Sequence, residues 1–223
     1  MGDVLASWSS FAGIFAAAFV LGLSGAMTPG PLLAFTISSA AKRGPYVGFL
    51  IVLGHGILES TLVVLIFLGV ATFLKSPLVL RIVGGAGAVV LATMGVMMLR
   101  DLPKMSLAAA VSGARGGGGT LGIENPVLGG LALTALNPTF PVWWAGMGVA
   151  MVAKYGTTVE NICVFYAGHI TSDFVWYLAV SLVIGHGRQF ISDRVYRIFI
   201  GICAAALVAF AVLFAHAAIT GHR

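Results

Sequence analysis

Charge is what this sequence has least of. Only 9% of its 223 residues are Asp, Glu, Lys or Arg, where a water-soluble domain carries about 25%. With 59% apolar residues, the chain has too little polar surface to present to water, which excludes a soluble globule. The net charge of +5 is small and scattered, so there is no basic stripe for a nucleic-acid partner. Cysteine is scarce too. Cys163 and Cys203 stand singly, without a Cys-x-x-Cys spacing, and read as buried packing residues. The first ten residues hold Asp3 and no Lys or Arg. The basic region of a cleaved leader is missing, so the first apolar stretch reads as a retained helix. No Gly-Lys-Ser/Thr follows the glycine run at 116–119, which excludes a phosphate loop, and His-Glu-x-x-His is absent.

Present instead are six long apolar stretches, 11–41, 44–74, 76–99, 126–153, 155–187 and 195–220. Each exceeds the roughly 20 residues that span a bilayer as a helix, and none alternates like a barrel strand. Mean hydropathy is +1.04. The expected fold is an all-α membrane protein with six transmembrane helices, solvated by lipid, because a helix satisfies its own backbone polar groups there. With the N-terminus outside, the inner loops hold Lys42, Arg43, Arg100, Lys104, Arg115, Arg188, Arg194 and Arg197. The outer side holds Lys75, Arg81, Lys154 and Arg223. The excess of positive charge inside places both termini outside.

The two halves carry the same landmarks in the same order. Stretch two contains Gly54-His55-x-x-x-Glu59 and stretch five Gly168-His169-x-x-x-Asp173. Stretch one contains Thr28-Pro29-Gly30-Pro31 and stretch four Asn137-Pro138-Thr139-Phe140-Pro141. Arg81-Ile82 with Gly85 is matched by Arg197-Ile198 with Gly201. Three helices per half is an odd number, so the second half enters the membrane the other way up. That is an inverted repeat, the architecture of many secondary transporters. The expected organisation is a first repeat over 1–100, a Gly-rich linker over 101–125 and a second repeat over 126–223.

Proline inside a helix removes a backbone bond and clashes with the preceding turn. Thr28 and Asn137 are good N-cap residues, each followed by proline, which is the signature of a helix start. Helices one and four are therefore expected to be broken, each with a half-helix beginning inside the membrane. Such an end exposes free N–H groups and partial positive charge and suits a substrate carboxylate. Glu59 and Asp173 fall near the centres of stretches two and five. An acid at that depth costs about 2.5–3.5 kcal/mol on insertion scales and normally faces the bundle interior. His55 and His169 each lie one turn earlier on the same helix face. The four together read as a polar site at the repeat interface, able to take protons or a substrate ammonium. Trp143 and Trp144, close to the second break, are candidates for the cavity wall, whereas Trp8, Trp176 and Tyr177 divide between interface anchors and cavity lining. Gly44, Gly48, Gly84, Gly85 and Gly87 are expected to allow close helix packing.

The run Gly25-Ala-Met-Thr-Pro-Gly-Pro31, followed by Arg43-Gly44 and Gly48, resembles the LysE/RhtB family of amino-acid exporters. Leu136-Asn137-Pro138 ahead of Trp143-Trp144 is similar to that family's second-half signature. The resemblance covers nearly the whole chain. It implies six helices, an inner-membrane location and export of amino acids or related metabolites. It also implies a transport core containing Thr28, Pro29, Gly30, Pro31, Asn137 and Pro138. The paired Gly-His-x-x-x-acid elements depart from the family's best-known exporters. The partners implied are a small amino-acid-like substrate, membrane lipid and protons, with no cofactor, no resident metal and no nucleic acid; a homodimer is left open. Two other readings stay open. In one, His55, Glu59, His169 and Asp173 are four ligands of an exported divalent metal. In the other, Gly22-Leu23-Ser24-Gly25 is a hydrolase element with His169 as base.

Overall fold

The computed structural model describes residues 11–70, 76–107, 123–155, 158–187 and 190–220. Trp8, Lys75, Arg115, the glycine run, Arg188, His222 and Arg223 lie outside the described residues. Among the described residues every regular element is helical. The elements are α1 (Phe11–Ala26), α2 (Pro31–Arg43), α3 (Val47–Leu65), α4 (Pro77–Asp101), α5 (Pro126–Leu136), α6 (Thr139–Trp143), α7 (Val149–Tyr155), α8 (Val159–Gly187) and α9 (Asp193–Thr220). A π-helical turn, Ile66–Val70, continues α3, and another, Trp144–Gly148, joins α6 to α7.

Both expected breaks are present. Regular helix stops at Ala26, resumes at Pro31, and the two axes diverge by 80°. Pro31 takes the first helical position, where its missing N–H has no partner to lose. The second break falls at Asn137–Pro138, between α5 and α6. The caps differ from expectation at the first break. Thr28 Oγ1 donates backwards to the Ser24 carbonyl at 3.1 Å, because it ends α1, where free carbonyls outnumber free N–H groups. Gly30 is the N-cap of α2 and offers no side chain. At the second break Asn137 does cap. Its Oδ1 accepts from the Thr139 N–H at 3.1 Å and the Thr139 hydroxyl at 2.8 Å. Asn137→Ala is expected to lower stability by about 1 kcal/mol, measured as the thermal midpoint in detergent. An unchanged midpoint would show that the cap is not needed.

The α3 unit, α4, α8 and α9 are long and apolar enough to cross a membrane, and the bent α1–α2 pair makes a fifth span if counted as one. Stretch four, expected as a sixth, is divided, and α5 with its 11 residues falls short by itself. The surface is inverted relative to a soluble protein. Phe49, Leu53, Ile57, Leu68, Val89 and Val212 are exposed, whereas Thr36, Ser39, Glu59, Ser172, Asp173 and Ser181 are buried. Exposed apolar area of this extent calls for a lipid solvent. The chain is a multi-pass membrane protein.

Packing is organised by close helix pairs: α4 with α9, α1 with α8, α3 with α5, and α3 with α8. In the last pair Gly48 faces Tyr177 and Ser181 while Gly56 faces Tyr166 and Ile170, so the helices run antiparallel. The α4–α9 pair is also antiparallel. Arg81 Nε donates to the Ala218 carbonyl at 3.1 Å, and Gly95 meets Ala204 and Val208.

The expected packing glycines divide. Gly48 and Gly87 sit where a methyl would collide with Tyr177 and Pro138. Gly84 and Gly85 have nothing nearer than 3.7 Å and 3.9 Å, so they do not set a close approach. Gly44 has a different task. Its φ of +100° ends α2, a conformation open to glycine and strained for other residues. Cys203 is buried as expected, but Cys163 is exposed. At the start of the connection, Met105 and Leu107 are buried, and the Leu107 N–H donates to Asp193 Oδ1 at 2.8 Å.

Candidate functional site

A cavity of about 330 Å³ opens where the two breaks face α3 and α8. Thr28, Pro29, Gly30 and Pro31 line it from the first break, Asn137, Trp143 and Trp144 from the second. His55 and Glu59 come from α3, His169 and Asp173 from α8. Pro138 does not line it. Its ring seats against Gly87 of α4 instead, because the Asn137 turn that caps α6 directs the proline away. Trp176 is also absent from the lining and packs against the larger apolar core, whereas Tyr177 lines the cavity.

Glu59 is the hub. It is 1% exposed, and its Oε1 lies 2.9 Å from His169 Nε2, 3.4 Å from His55 Nε2 and 3.3 Å from Trp144 Nε1. Asp173 Oδ2 lies 3.6 Å from His55 Nε2 and 4.0 Å from His169 Nε2. The acids sit together because each is four residues after its histidine, on the face that α3 and α8 turn toward each other. Glycine makes the approach close. Gly54 and Gly168, immediately before the histidines, abut the backbones of Val127 and Phe15. Glu59 Oε2, His169 Nδ1 and Asp173 Oδ2 are buried without a hydrogen-bond partner among the described residues. Unpaired buried polar atoms are costly, and these three gather beside one cavity.

Four further side chains, to which the sequence assigns no role, matter here. Thr134 Oγ1 lies 2.8 Å from His55 Nδ1. It was legible only as a polar residue in an apolar run, one turn before Asn137. Phe140 meets the His55 ring edge-on at 5.7 Å between centroids. Phe210 and Phe214 of α9 complete the apolar wall, and nothing in their local sequence distinguishes them from lipid-facing phenylalanines. The His169 ring is enclosed by Trp143, Trp144 and Phe165 at centroid distances of 4.9, 5.2 and 6.2 Å. Among the described residues no Lys or Arg lines the cavity. It is an acidic, aromatic-walled pocket.

The arrangement can hold protons, an ammonium group or a metal ion. For the last, His55, Glu59 and Asp173 each offer a ligand atom, and these lie within 4.8 Å of one another. A hydrolase would need a nucleophile in the pocket. Ser24 is exposed, donates to the Leu21 carbonyl at 2.5 Å and does not line the cavity. Ser24→Ala is expected to leave transport unchanged, checked by uptake in proteoliposomes. A liposome proteolysis assay that depended on Ser24 would reverse this.

A model of the LysE type translocator family matches residues 23–218. The chain belongs to this family. Two curated relatives of this LysE type translocator span nearly its full length. "Chemotactic transduction protein ChpE" of Pseudomonas aeruginosa is 28% identical over 207 residues, covering 90% of this chain and 96% of that protein. "Putative amino acid efflux protein YcgF" of Bacillus subtilis is 22% identical over 205 residues, covering 91% and 95%. No solved structure matches significantly.

Proposed function

We propose that the chain is a secondary transporter that exports amino acids or related small metabolites across the inner membrane in exchange for protons. The observation that carries this is the cluster of two carboxyls and two histidines, drawn from both halves into one cavity between two helix breaks. Protons and a substrate ammonium would alternate within the cluster of Glu59, Asp173, His55 and His169. The start of α2, whose first N–H groups have no intrahelical partner, would take the carboxylate, and Trp143 and Trp144 would flank the substrate. The name of the Bacillus subtilis relative agrees with efflux of amino acids. No catalytic role is assigned.

The proposed architecture is six spans in two inverted repeats, 1–100 and 126–223, joined by 101–125. Helices α3 and α8 are counterparts in that scheme, as are α4 and α9, and both pairs run antiparallel. Partners also exchange: α1 packs on α8 as α5 packs on α3. Lys42 pairs with Glu124 at 3.6 Å, which agrees with one face shared by the α2–α3 turn and the linker; the Lys and Arg excess on that face is what supports both termini outside.

The test is reconstitution of the full chain into proteoliposomes. A pH gradient should drive accumulation of at least one radiolabelled amino acid, and a protonophore should abolish it. Absence of uptake across a panel of acidic, basic, polar and apolar amino acids would sink the reading. A second reading, export of a divalent metal, draws on the three clustered ligand atoms. It forecasts gradient-driven zinc flux from the same vesicles, lost in His55→Gln.

A further inference from the structure

We propose that Thr134 is a positioning residue that locks His55 with a hydrogen on Nδ1. His55 Nε2 then becomes the place where a proton and a substrate ammonium alternate. The proposal rests on the proton-coupled reading above and adds to it that the two histidines are inequivalent.

The argument is a count of hydrogens. A threonine hydroxyl has one to give. Thr134 Oγ1 lies 2.7 Å from the Gly130 carbonyl and donates to it, since a carbonyl has no hydrogen of its own. Toward His55 Nδ1, at 2.8 Å, the same oxygen can therefore only accept, and Nδ1 must carry the hydrogen. The bond made by one ring nitrogen fixes the state of the other. Neutral His55 thus presents a bare lone pair at Nε2, facing Glu59 Oε1 at 3.4 Å and Asp173 Oδ2 at 3.6 Å. A lone pair opposite two carboxylates is repelled unless a cationic hydrogen donor lies among them. A proton satisfies that requirement, and so does an ammonium group arriving from the cavity. One must leave before the other binds.

His169 has no such lock. Thr134 lies three residues before Asn137, and the residue three before Thr28 is Gly25, which has no hydroxyl. Among the described residues His169 Nδ1 is buried without a partner, while its Nε2 lies 2.9 Å from Glu59 Oε1. The neutral ring with hydrogen on Nε2 satisfies this geometry. A charged ring would bury an N–H with no acceptor. His169 is therefore a standing donor to Glu59, and His55 is the ring that exchanges. The other groups facing His55 are accounted for. Glu59 shares its helix, His169, Asp173 and Tyr177 come from α8, and the neighbouring Thr134 of α5 and Phe140 of α6 do not titrate.

The test is ¹⁵N-histidine NMR of the full chain in lipid nanodiscs, with the His55 signal assigned by its loss in His55→Gln. Neutral His55 should carry hydrogen on Nδ1. Thr134→Val, similar in shape but without the acceptor, should move that hydrogen to Nε2, and Thr134→Ser should keep it on Nδ1. In proteoliposomes the pH profile of export should follow. Without the Thr134 acceptor the charged ring loses a bond that the neutral ring can do without. Protons are then released at lower pH, and the limb should move about one unit toward acid in Thr134→Val and return in Thr134→Ser. A wild-type His55 with hydrogen on Nε2 overturns the proposal, as does an unchanged tautomer in Thr134→Val. If the valine variant does not fold, the wild-type and serine spectra still decide. Loss of export from wild type itself would refute the transport reading, while the spectra test the lock independently.

Discussion

Glu59→Gln should abolish proton-driven export while leaving the protein folded. Glu59 is the acid on which the cluster converges, contacted by both histidines and the Trp144 N–H. Glutamine keeps the shape and can still accept from Trp144, but it neither titrates nor balances a positive charge. Removing one member of a buried charged network costs roughly 3–5 kcal/mol of stability, less than a typical folding free energy of about 5–15 kcal/mol, so the fold should survive at a lower thermal midpoint. Asp173→Asn should have the same direction. Asp173 sits 3.6 Å and 4.0 Å from the ring nitrogens, so its loss should be the smaller of the two. Flux under a pH gradient in proteoliposomes is the measurement, with size-exclusion behaviour as the fold control. Substrate exchange without a gradient should survive in Asp173→Asn, because binding and coupling are separable. Undiminished proton-coupled export in the doubly neutralised protein would falsify the role given to these acids. If the cluster instead serves a metal, Glu59→Gln and His55→Gln should both remove zinc binding, and amino-acid flux should be absent from wild type as well.

The residues gathered at the candidate site were largely legible because their chemistry is foreign to their surroundings. In a chain with so few charges, Glu59 and Asp173 stand out in their apolar runs, and the i, i+4 spacing ties each to a histidine. The helix breaks were legible for a similar reason, since Pro29, Pro31 and Pro138 interrupt runs that otherwise have no cause to stop. What stayed hidden was helix rotation. A soluble helix shows its buried face by contrast with a polar one. Here lipid and core are both apolar, so Phe210 and Phe214 in the cavity wall look like Phe199 at the surface. Cys163, expected in the core, is exposed for the same reason. Local hydrogen bonding also overrode the Thr28 cap read from sequence, and it placed Pro138 away from the cavity although Asn137 caps as read. Thr28 turned back to its own helix, and the Asn137 turn carried Pro138 onto Gly87. Thr134 was passed over because its importance lies in a bond to a residue 79 positions away.

Gly54→Ala and Gly168→Ala should each destabilise the protein strongly and to a similar degree. The motivation is where an added methyl would go. At Gly168 it would lie 2.5 Å from the Phe15 carbonyl oxygen, 3.0 Å from the Phe15 Cα and 3.1 Å from the Ala18 Cβ. At Gly54 it would run into the Val127 carbonyl and the Leu131 N–H. In both places the obstacle is backbone, which cannot move aside as the tip of a side chain can. The helices would have to separate, at a cost of about 1–3 kcal/mol or more for overpacking. Separation at Gly54 would also pull His55 from Thr134, and at Gly168 it would shift α8 with its His169, so transport should fall with stability. Gly85→Ala is the control. A methyl there meets only the Ala218 Cβ at 3.9 Å, and alanine is the better helix former by about 1 kcal/mol, so the variant should be as stable as wild type or more so. Thermal midpoints of the three variants in one detergent decide the matter. Matching losses at 54 and 168 with none at 85 would support α5 docking on α3 as α1 docks on α8. A Gly168→Ala protein as stable as wild type would mean that α1 does not approach α8 through this glycine, and the partner exchange behind the inverted repeat would lose its footing.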